Sequence, residues 1–260
     1  MRILPAILCC AFGLSLASAA EPAPEPAPVL RVLTWNIHHG SGTDGKPSLA
    51  QIAETIRNHQ PDIVLLQEVD QNCNRSGKTD QTAELARLTG LHGTFGKAMD
   101  FDGGAYGQAI LAKFPPANLT VHTLPSNGEA RIAISAILDT PLGKVTAASV
   151  HLDHADDARR NAQAQVCAAA LLTSPHPVIL AGDFNTTPEN RAMAHFSQAP
   201  WSIAAKSPPA ATYPADDPKS EIDHIVLRGL QAAGPATVPT LPNPPPSDHR
   251  PVLTTVRLPE

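Results

Sequence analysis

From position 29 onward, short all-apolar runs alternate with amphipathic stretches. This is the rhythm of strands buried on both faces and set among surface helices. Val29-Leu30-Arg31-Val32-Leu33-Thr34-Trp35 opens the series as a β-type run. Ser48 to His59 follows with Leu49, Ile52, Ala53 and Ile56 on one helical face, Ser48 placed as its N-cap and Pro61 as its stop. Ile63-Val64-Leu65-Leu66 is a fully apolar strand, and Thr79 to Leu88 a helix turning Leu85 and Leu88 inward. Ala109-Ile110-Leu111, Ile132 to Leu138 and Lys144 to Val150 read as strands, the last two joined by a turn at Thr140-Pro141-Leu142-Gly143. Asp156 to Leu172 is an alanine-rich helix, and Val178 to Ala181 a buried strand closing at Gly182. Beyond Pro200 the chain is proline-rich and irregular, except for strand-like Ile222 to Leu227 and Val252 to Val256. No internal repeat is visible. Helices and strands that alternate, with several strands adjacent in sequence, predict an α/β domain with a mixed sheet or two packed sheets.

The ends of the chain follow a different logic. Arg2, the apolar stretch Ile3 to Leu16 and the small-residue site Ala17-Ser18-Ala19 read as a secretory signal peptide over residues 1–20. The apolar run is shorter than the roughly 20 residues a membrane span needs. Cys9 and Cys10 invite a lipid attachment, but Leu8 is too large for the position before a lipidated cysteine. Residues 21–28, EPAPEPAP, form an extended tether, and 29–260 a single domain. The expected location is therefore outside the cytoplasm, periplasmic or secreted. Removing the signal leaves Cys73 and Cys167, which either pair or are two unrelated small residues.

Composition narrows the function. With 42% hydrophobic residues in 260, the chain can bury a sizeable core. Aromatic residues make up 4%, too few to grip many bases by stacking. There are 19 Lys+Arg against 24 Asp+Glu, a formal charge of -5, which leaves no basic footprint for a long polyanion. A small phosphate ester needs only a local cationic pocket.

The polar residues of interest stand at the ends of the buried runs. Trp35 leads into Asn36, Leu66 into Gln67-Glu68, Val150 into His151, Gly182 into Asp183-Phe184-Asn185, Ile222 into Asp223, and Ser247 into Asp248-His249. Carboxylates at the ends of buried strands need partners, because an unpaired buried charge is very costly. A hard cation is the simplest common partner.

The ordered series Thr-Trp-Asn36, Gln-Glu68, Val-His151-Leu, Gly-Asp183-Phe-Asn185, Ile-Asp223-His and Ser-Asp248-His249 resembles the endonuclease/exonuclease/phosphatase superfamily. That group includes deoxyribonuclease-like nucleases, abasic-site endonucleases, neutral sphingomyelinases and inositol-polyphosphate phosphatases. The resemblance runs from Arg31 to Val256. It implies a four-layer α/β sandwich, two mixed β-sheets face to face with outer helices, and a metal-dependent phosphoric ester hydrolase. On that reading Glu68 is a direct ligand of magnesium, with manganese as an alternative. Asn36 and Asp248 assist directly or through water. Asp183 orients or deprotonates the attacking water, Asn185 donates to a phosphate oxygen, and His249 contacts the phosphoryl group while Asp223 fixes its tautomer. His151 protonates the leaving oxygen or binds phosphate, with Asp153 and His154 beside it.

Four further residues are expected to touch substrate. Arg131 suits a phosphate bidentately, against the alternative of a surface ion pair. Arg75 belongs to a loop, Asn72 to Gln81, that rims the site. His38 stands where abasic-site nucleases usually carry an acid, which puts metal coordination like theirs in doubt. Gln108 replaces the asparagine of a block that commonly reads Tyr-Gly-Asn-Ala-Ile-Leu in exported bacterial members. The expected partner is a phosphate-ester substrate, small or lipid-linked, with transient contact at a membrane surface left open and a monomer expected. An exported nuclease is the alternative, and a catalytically silent binding module on the same scaffold the third reading.

Overall fold

The computed structural model describes residues 27–259. The expected signal peptide and most of the tether lie outside the described residues. No helix among the described residues is long and apolar enough to cross a membrane.

The apolar runs become strands of two sheets. The first has six strands in the order β11-β12-β1-β2-β4-β3 and the second six in the order β5-β6-β7-β8-β10-β9. The first contains β1 (Leu30–Asn36), β2 (Ile63–Gln71), β3 (His92–Phe101), β4 (Gly104–Ala112), β11 (Gln231–Ala232) and β12 (Val252–Arg257). The second contains β5 (Ala117–Thr123), β6 (Ile132–Thr140), β7 (Gly143–His151), β8 (Val178–Asp183), β9 (Trp201–Ile203) and β10 (Asp223–Arg228). Both are mixed: β1 runs parallel to β2 and β7 parallel to β8, while the other pairings are antiparallel.

Strand periodicity sorts the core into three interfaces. Leu30, Val32, Ile63, Leu65 and Ile110 meet Ile134, Ala136, Ala147, Ile179 and Ile225 between the sheets. The opposite face of the first sheet, with Leu33, Trp35, Val64 and Leu66, packs on Ile52, Ile56 and Leu85 of α1 (Leu49–His59) and α2 (Gln81–Thr89). The outer face of the second sheet packs Val150, Leu180 and Val226 on Ala164, Cys167 and Leu171 of α3 (Asp157–Leu172). Three apolar interfaces separate four layers, helix–sheet–sheet–helix, so the central strands are apolar on both faces.

Several sequence expectations are refined. Ser48 does not cap α1 through its side chain; its Oγ donates instead to the Pro246 carbonyl at 2.6 Å. α2 is capped by Asp80, which accepts from the Ala83 amide at 3.0 Å, and α3 by Asp156, which accepts from Arg159 at 2.8 Å. β3, β5, β9 and β11 were not anticipated. β3, β5, β9 and β11 are the sheet edges, and an edge strand need not carry a continuous apolar run. Cys73 and Cys167 are both free and buried. They belong to different layers: Cys167 lies on the buried face of α3, while the Cys73 thiol donates to the Phe101 and Ala105 carbonyls at 3.2 Å.

A polar cluster crosses the apolar seam. Gln67 Nε2 donates to Ser149 Oγ at 2.9 Å and to Thr34 Oγ1 at 3.2 Å, and Ser149 Oγ donates to the Leu66 carbonyl. It ties the two sheets together directly beneath the polar strand ends.

Candidate active site

Parallel pairing brings the carboxyl ends of β1 and β2 to one edge of the first sheet, and those of β7 and β8 to the same edge of the second. Antiparallel β10 and β12 begin there. Register then sets three functional side chains in a row, His151 opposite Asp183 and Asp183 opposite Asp223. A cleft of about 690 Å³ opens at this edge. Nine of the residues expected from sequence line it: His38, Glu68, Arg75, Arg131, His151, Asp183, Asn185, Asp248 and His249. Asn36 and Asp223 are fully buried just behind the lining. Gln108 is a correction. Its side chain turns between the sheets and donates to the Ile132 carbonyl at 2.6 Å, so it does not line the cleft.

Local backbone geometry aims several of these groups. The β2–β4 ladder shifts register between Leu66 and Val69, a bulge that turns Glu68 into the cleft with φ 55°. Asn185 (φ 50°), His38 (φ 45°) and His39 (φ 46°) also adopt the left-handed region. Non-glycine residues there are strained and gather at functional sites. The loop carrying Asp248 and His249 is stitched to β1, since Ser247 Oγ donates to the Asn36 carbonyl at 2.6 Å and Trp35 Nε1 to the His249 carbonyl at 2.8 Å.

Asn36 is oriented without ambiguity. Its Oδ1 accepts from the His38 amide at 3.0 Å, and its Nδ2 donates to Glu68 Oε1 at 3.0 Å and Asp183 Oδ2 at 3.1 Å. It therefore bridges two carboxylates through nitrogen in this arrangement. Asp183 also accepts from the Asn185 amide at 2.8 Å. Its Oδ2 lies 3.5 Å from His151 Nε2 and 3.6 Å from His249 Nε2. His249 Nδ1 donates to Asp223 Oδ2 at 2.9 Å.

Burial and neighbouring charge divide these groups. For His249, burial favours the neutral ring, but Asp223 and Asp183 outweigh it and raise the imidazole well above its ordinary value. For Asp183, burial pushes the carboxyl up, against the pull of His249. His151 is held well below the usual imidazole range by burial and then by Arg131 and His249. The two imidazoles flanking Asp183 are thus one cationic, one neutral.

Arg131 is no surface ion pair. It is 5% exposed, and its guanidinium lies against His151 at 2.9 Å, with Glu129 and His154 each at 3.2 Å. Its two terminal nitrogens serve the site's own side chains and so position His151, while its Nε–H has no partner among the described residues. Arg75 rims the cleft as expected, but it is held bidentately by buried Asp70 at 2.8 and 2.9 Å and stacks 4.4 Å over Phe101. His38 Nδ1 is engaged by the Ser41 carbonyl at 3.1 Å. Asp153 faces the helix: it accepts from the Ala155 and Asp156 amides and pairs with Arg159 at 2.8 Å.

The donor set suits a hard cation. Glu68 and Asp248 both face the cleft, and among the described residues neither has a cationic side chain within ion-pair distance. Two uncompensated carboxylates sharing a cleft with an amide-bridged third are what an oxygen-preferring dication would balance. Asp183, Asp223 and His249 also bring ligand-type atoms within 4.8 Å of one another. In that trio, however, the His249–Asp223 hydrogen bond and the charged imidazole leave no ring lone pair for an ion. Glu68 and Asp248 fit better.

Several cleft residues had no role assigned from sequence. His39, Met99, Phe101, Tyr106, Glu129, Tyr213 and Ile222 all contribute to the lining. The Tyr213 ring packs 4.8 Å from that of His249. His39 was legible as half of a His-His pair; Tyr213 lies in an irregular proline-rich stretch that gave no signal.

Residues 33–249 match the model of the Endonuclease/Exonuclease/phosphatase family. Among curated relatives, Protein cwh43 of Schizosaccharomyces pombe is 27% identical over 202 residues, 77% of this chain but 20% of that protein. The chain thus spans about a fifth of that relative. The uncharacterized protein YbhP of Escherichia coli K12 is 26% identical over 244 residues, 88% of this chain and 96% of YbhP. Among solved structures, the mannosyl-6-phosphatase Bt3783 of Bacteroides thetaiotaomicron superposes with a TM-score of 0.73 at 19% identity. The match covers 88% of this chain and 100% of that one. At that identity the likeness is one of fold.

Proposed function

The chain belongs to the Endonuclease/Exonuclease/phosphatase family, whose members are hydrolases of phosphate esters, and from that premise we propose that it is a metal-dependent phosphoesterase acting on a small or lipid-linked phosphate ester. The observation that carries this reading is the Asp223–His249–Asp183 array standing beside the uncompensated Glu68 and Asp248 in one cleft.

A divalent cation, magnesium or manganese, held by Glu68 and Asp248 with Asn36 behind, would offset charge on the phosphoryl oxygens. The remaining work belongs to the chain's own groups. Asp183, made more basic by burial, orients the attacking water and accepts its proton. His249 donates Nδ1–H to Asp223 and offers Nε2–H to a phosphoryl oxygen. Asn185 Nδ2 uses one hydrogen on the Leu152 carbonyl at 3.0 Å and keeps the other for the substrate. His151, held neutral against Arg131, serves as a polar contact rather than a resident acid.

A concave, acid-bearing cleft and a net charge of -5 favour a compact ester over a duplex. The fold shared with the mannosyl-6-phosphatase Bt3783 is consistent with a phosphomonoester. A second reading, an exported nuclease, draws on Phe101 and Tyr213, half-exposed aromatics at the cleft on which a base could stack. Export itself rests on residues 1–20.

The mature protein assayed on phosphomonoesters, lipid phosphodiesters and supercoiled plasmid, in magnesium, manganese or calcium, separates these readings. The proposal expects ester hydrolysis that EDTA abolishes and Asp183→Ala lowers by about 10³-fold or more. Plasmid nicking with every small ester untouched selects the nuclease. No turnover of any substrate with any metal sinks both.

A further inference from the structure

The tyrosine of the Tyr106-Gly107-Gln108 block reaches the cleft that its glutamine does not. On β4, Tyr106 and Gln108 project to the same face, toward the second sheet. Gln108 lies where the sheets are in contact; Tyr106 lies two residues nearer the edge, where they part, and there it lines the cleft. Its ring is clamped. Phe101 packs 6.1 Å away, the Arg75 guanidinium stands 5.5 Å from its centroid, and Asp70 and Met99 are its partners on the neighbouring strands.

Its hydroxyl, by contrast, is engaged by no group among the described residues. The residue is 7% exposed, yet the phenol forms no hydrogen bond among the described residues. The oxygen opens on the cleft rather than into the core, so its donor faces the space a ligand would fill. Burial holds the phenol far above its ordinary range, and Glu68 and Glu129 push in the same direction, so it stays protonated and acts as a donor. The group stands between the Glu68 side of the cleft and the Arg131–His151 side, bordering a small recess lined by both of those residues. A ligand that brings an anionic oxygen to this position would satisfy the donor without a compensating rearrangement.

We propose that Tyr106 is a catalytic residue whose hydroxyl donates a hydrogen bond to a non-bridging phosphoryl oxygen of the bound ester, opposite His249. The assignment rests on the phosphoesterase reading above and adds a donor from the first sheet to those from the second. No proton leaves the phenol; it is a fixed dipole aimed where charge gathers.

Tyr106→Phe removes only the oxygen, so the ring's packing is retained. Two measurements test it with magnesium present: calorimetric titration with orthophosphate, and kcat and KM on whichever ester the wild type hydrolyses. Tyr106→Phe is expected to bind orthophosphate about 10-fold more weakly and to lose about 10- to 100-fold in kcat/KM, with the thermal midpoint unchanged. Binding and turnover within twofold of wild type overturn the Tyr106 assignment alone and leave the phosphoesterase reading standing. A wild type that neither binds orthophosphate nor turns over any ester overturns both.

Discussion

Within the site, the side chains act in pairs rather than singly. His249 owes its charge to Asp223 and Asp183, and Asp183 owes its orientation to Asn36 and the Asn185 amide. Removing either member of the His249–Asp223 pair should therefore remove what both contribute. Asp223→Asn is expected to lower kcat by about 10²- to 10⁴-fold, and the double variant Asp223→Asn/His249→Ala to be no slower than the slower single. Steady-state kinetics on the three variants measure this; multiplicative losses would mean that the two residues act independently. Arg131 shows the opposite lesson about pairing. A guanidinium that looks like a phosphate clamp in sequence turns its terminal nitrogens to His151, Glu129 and His154.

Among the elements, β8 meets β7 at Gly182 in a backbone conformation that leaves no room for a side chain. A Cβ added at Gly182 would fall onto the Val150 carbonyl oxygen. Gly182 pairs with Val150 one step before His151 pairs with Asp183, so the glycine and the acid after it belong to one device. Gly182→Ala should destabilise the fold by about 2 kcal/mol or more, because the backbone carbonyl cannot move aside without breaking the ladder. Urea unfolding measures it, and a midpoint equal to wild type would show that the strands can part without penalty. The bulge in β2 plays the matching part in the first sheet. It spends one residue of strand pairing to swing Glu68 out of the core and into the cleft.

For the molecule as a whole, four layers bury a ring of titratable groups, and acid should expose them. His224 is fully buried; its Nε2–H donates to the Thr186 carbonyl at 2.8 Å, and its Nδ1 accepts from Lys206 at 3.1 Å. Burial, with Lys206 adding to it, lowers this imidazole to about 3. In the unfolded chain it titrates near 6.5, so its contribution is complete above about pH 6.5 and is lost as pH falls toward 3. Asp183, raised by burial, shifts stability in the opposite direction over part of that range. The clean measurement is a difference: the stability advantage of wild type over His224→Gln should shrink by about 2 kcal/mol between pH 7 and pH 5. Urea titrations at the two values give it, and an unchanged difference would mean that His224 accepts a proton without cost.

Much of this protein is written locally. Apolar runs such as Ile63 to Leu66 and Val178 to Ala181 dictated strands buried on both faces, 3.6-residue periodicity dictated α1 and alanine richness α3, because solvent exclusion and helix propensity act on short windows of sequence. The order of polar residues at the run ends carried the family and most of the cleft. What only the tertiary structure decided is where those ends point and what else arrives there. The edge strands β3 and β5 escaped detection because half-exposed strands carry no continuous apolar signal. The contacts of Gln108 and Arg131 were not legible because their partners, Ile132 of the opposing sheet and His151 of a neighbouring strand, lie 24 and 20 residues away along the chain. The charge on His249 and the neutrality of His151 depend on burial and on neighbours far off in sequence, as does the arrival of the Tyr106 hydroxyl at the cleft, and no local pattern encodes a local dielectric.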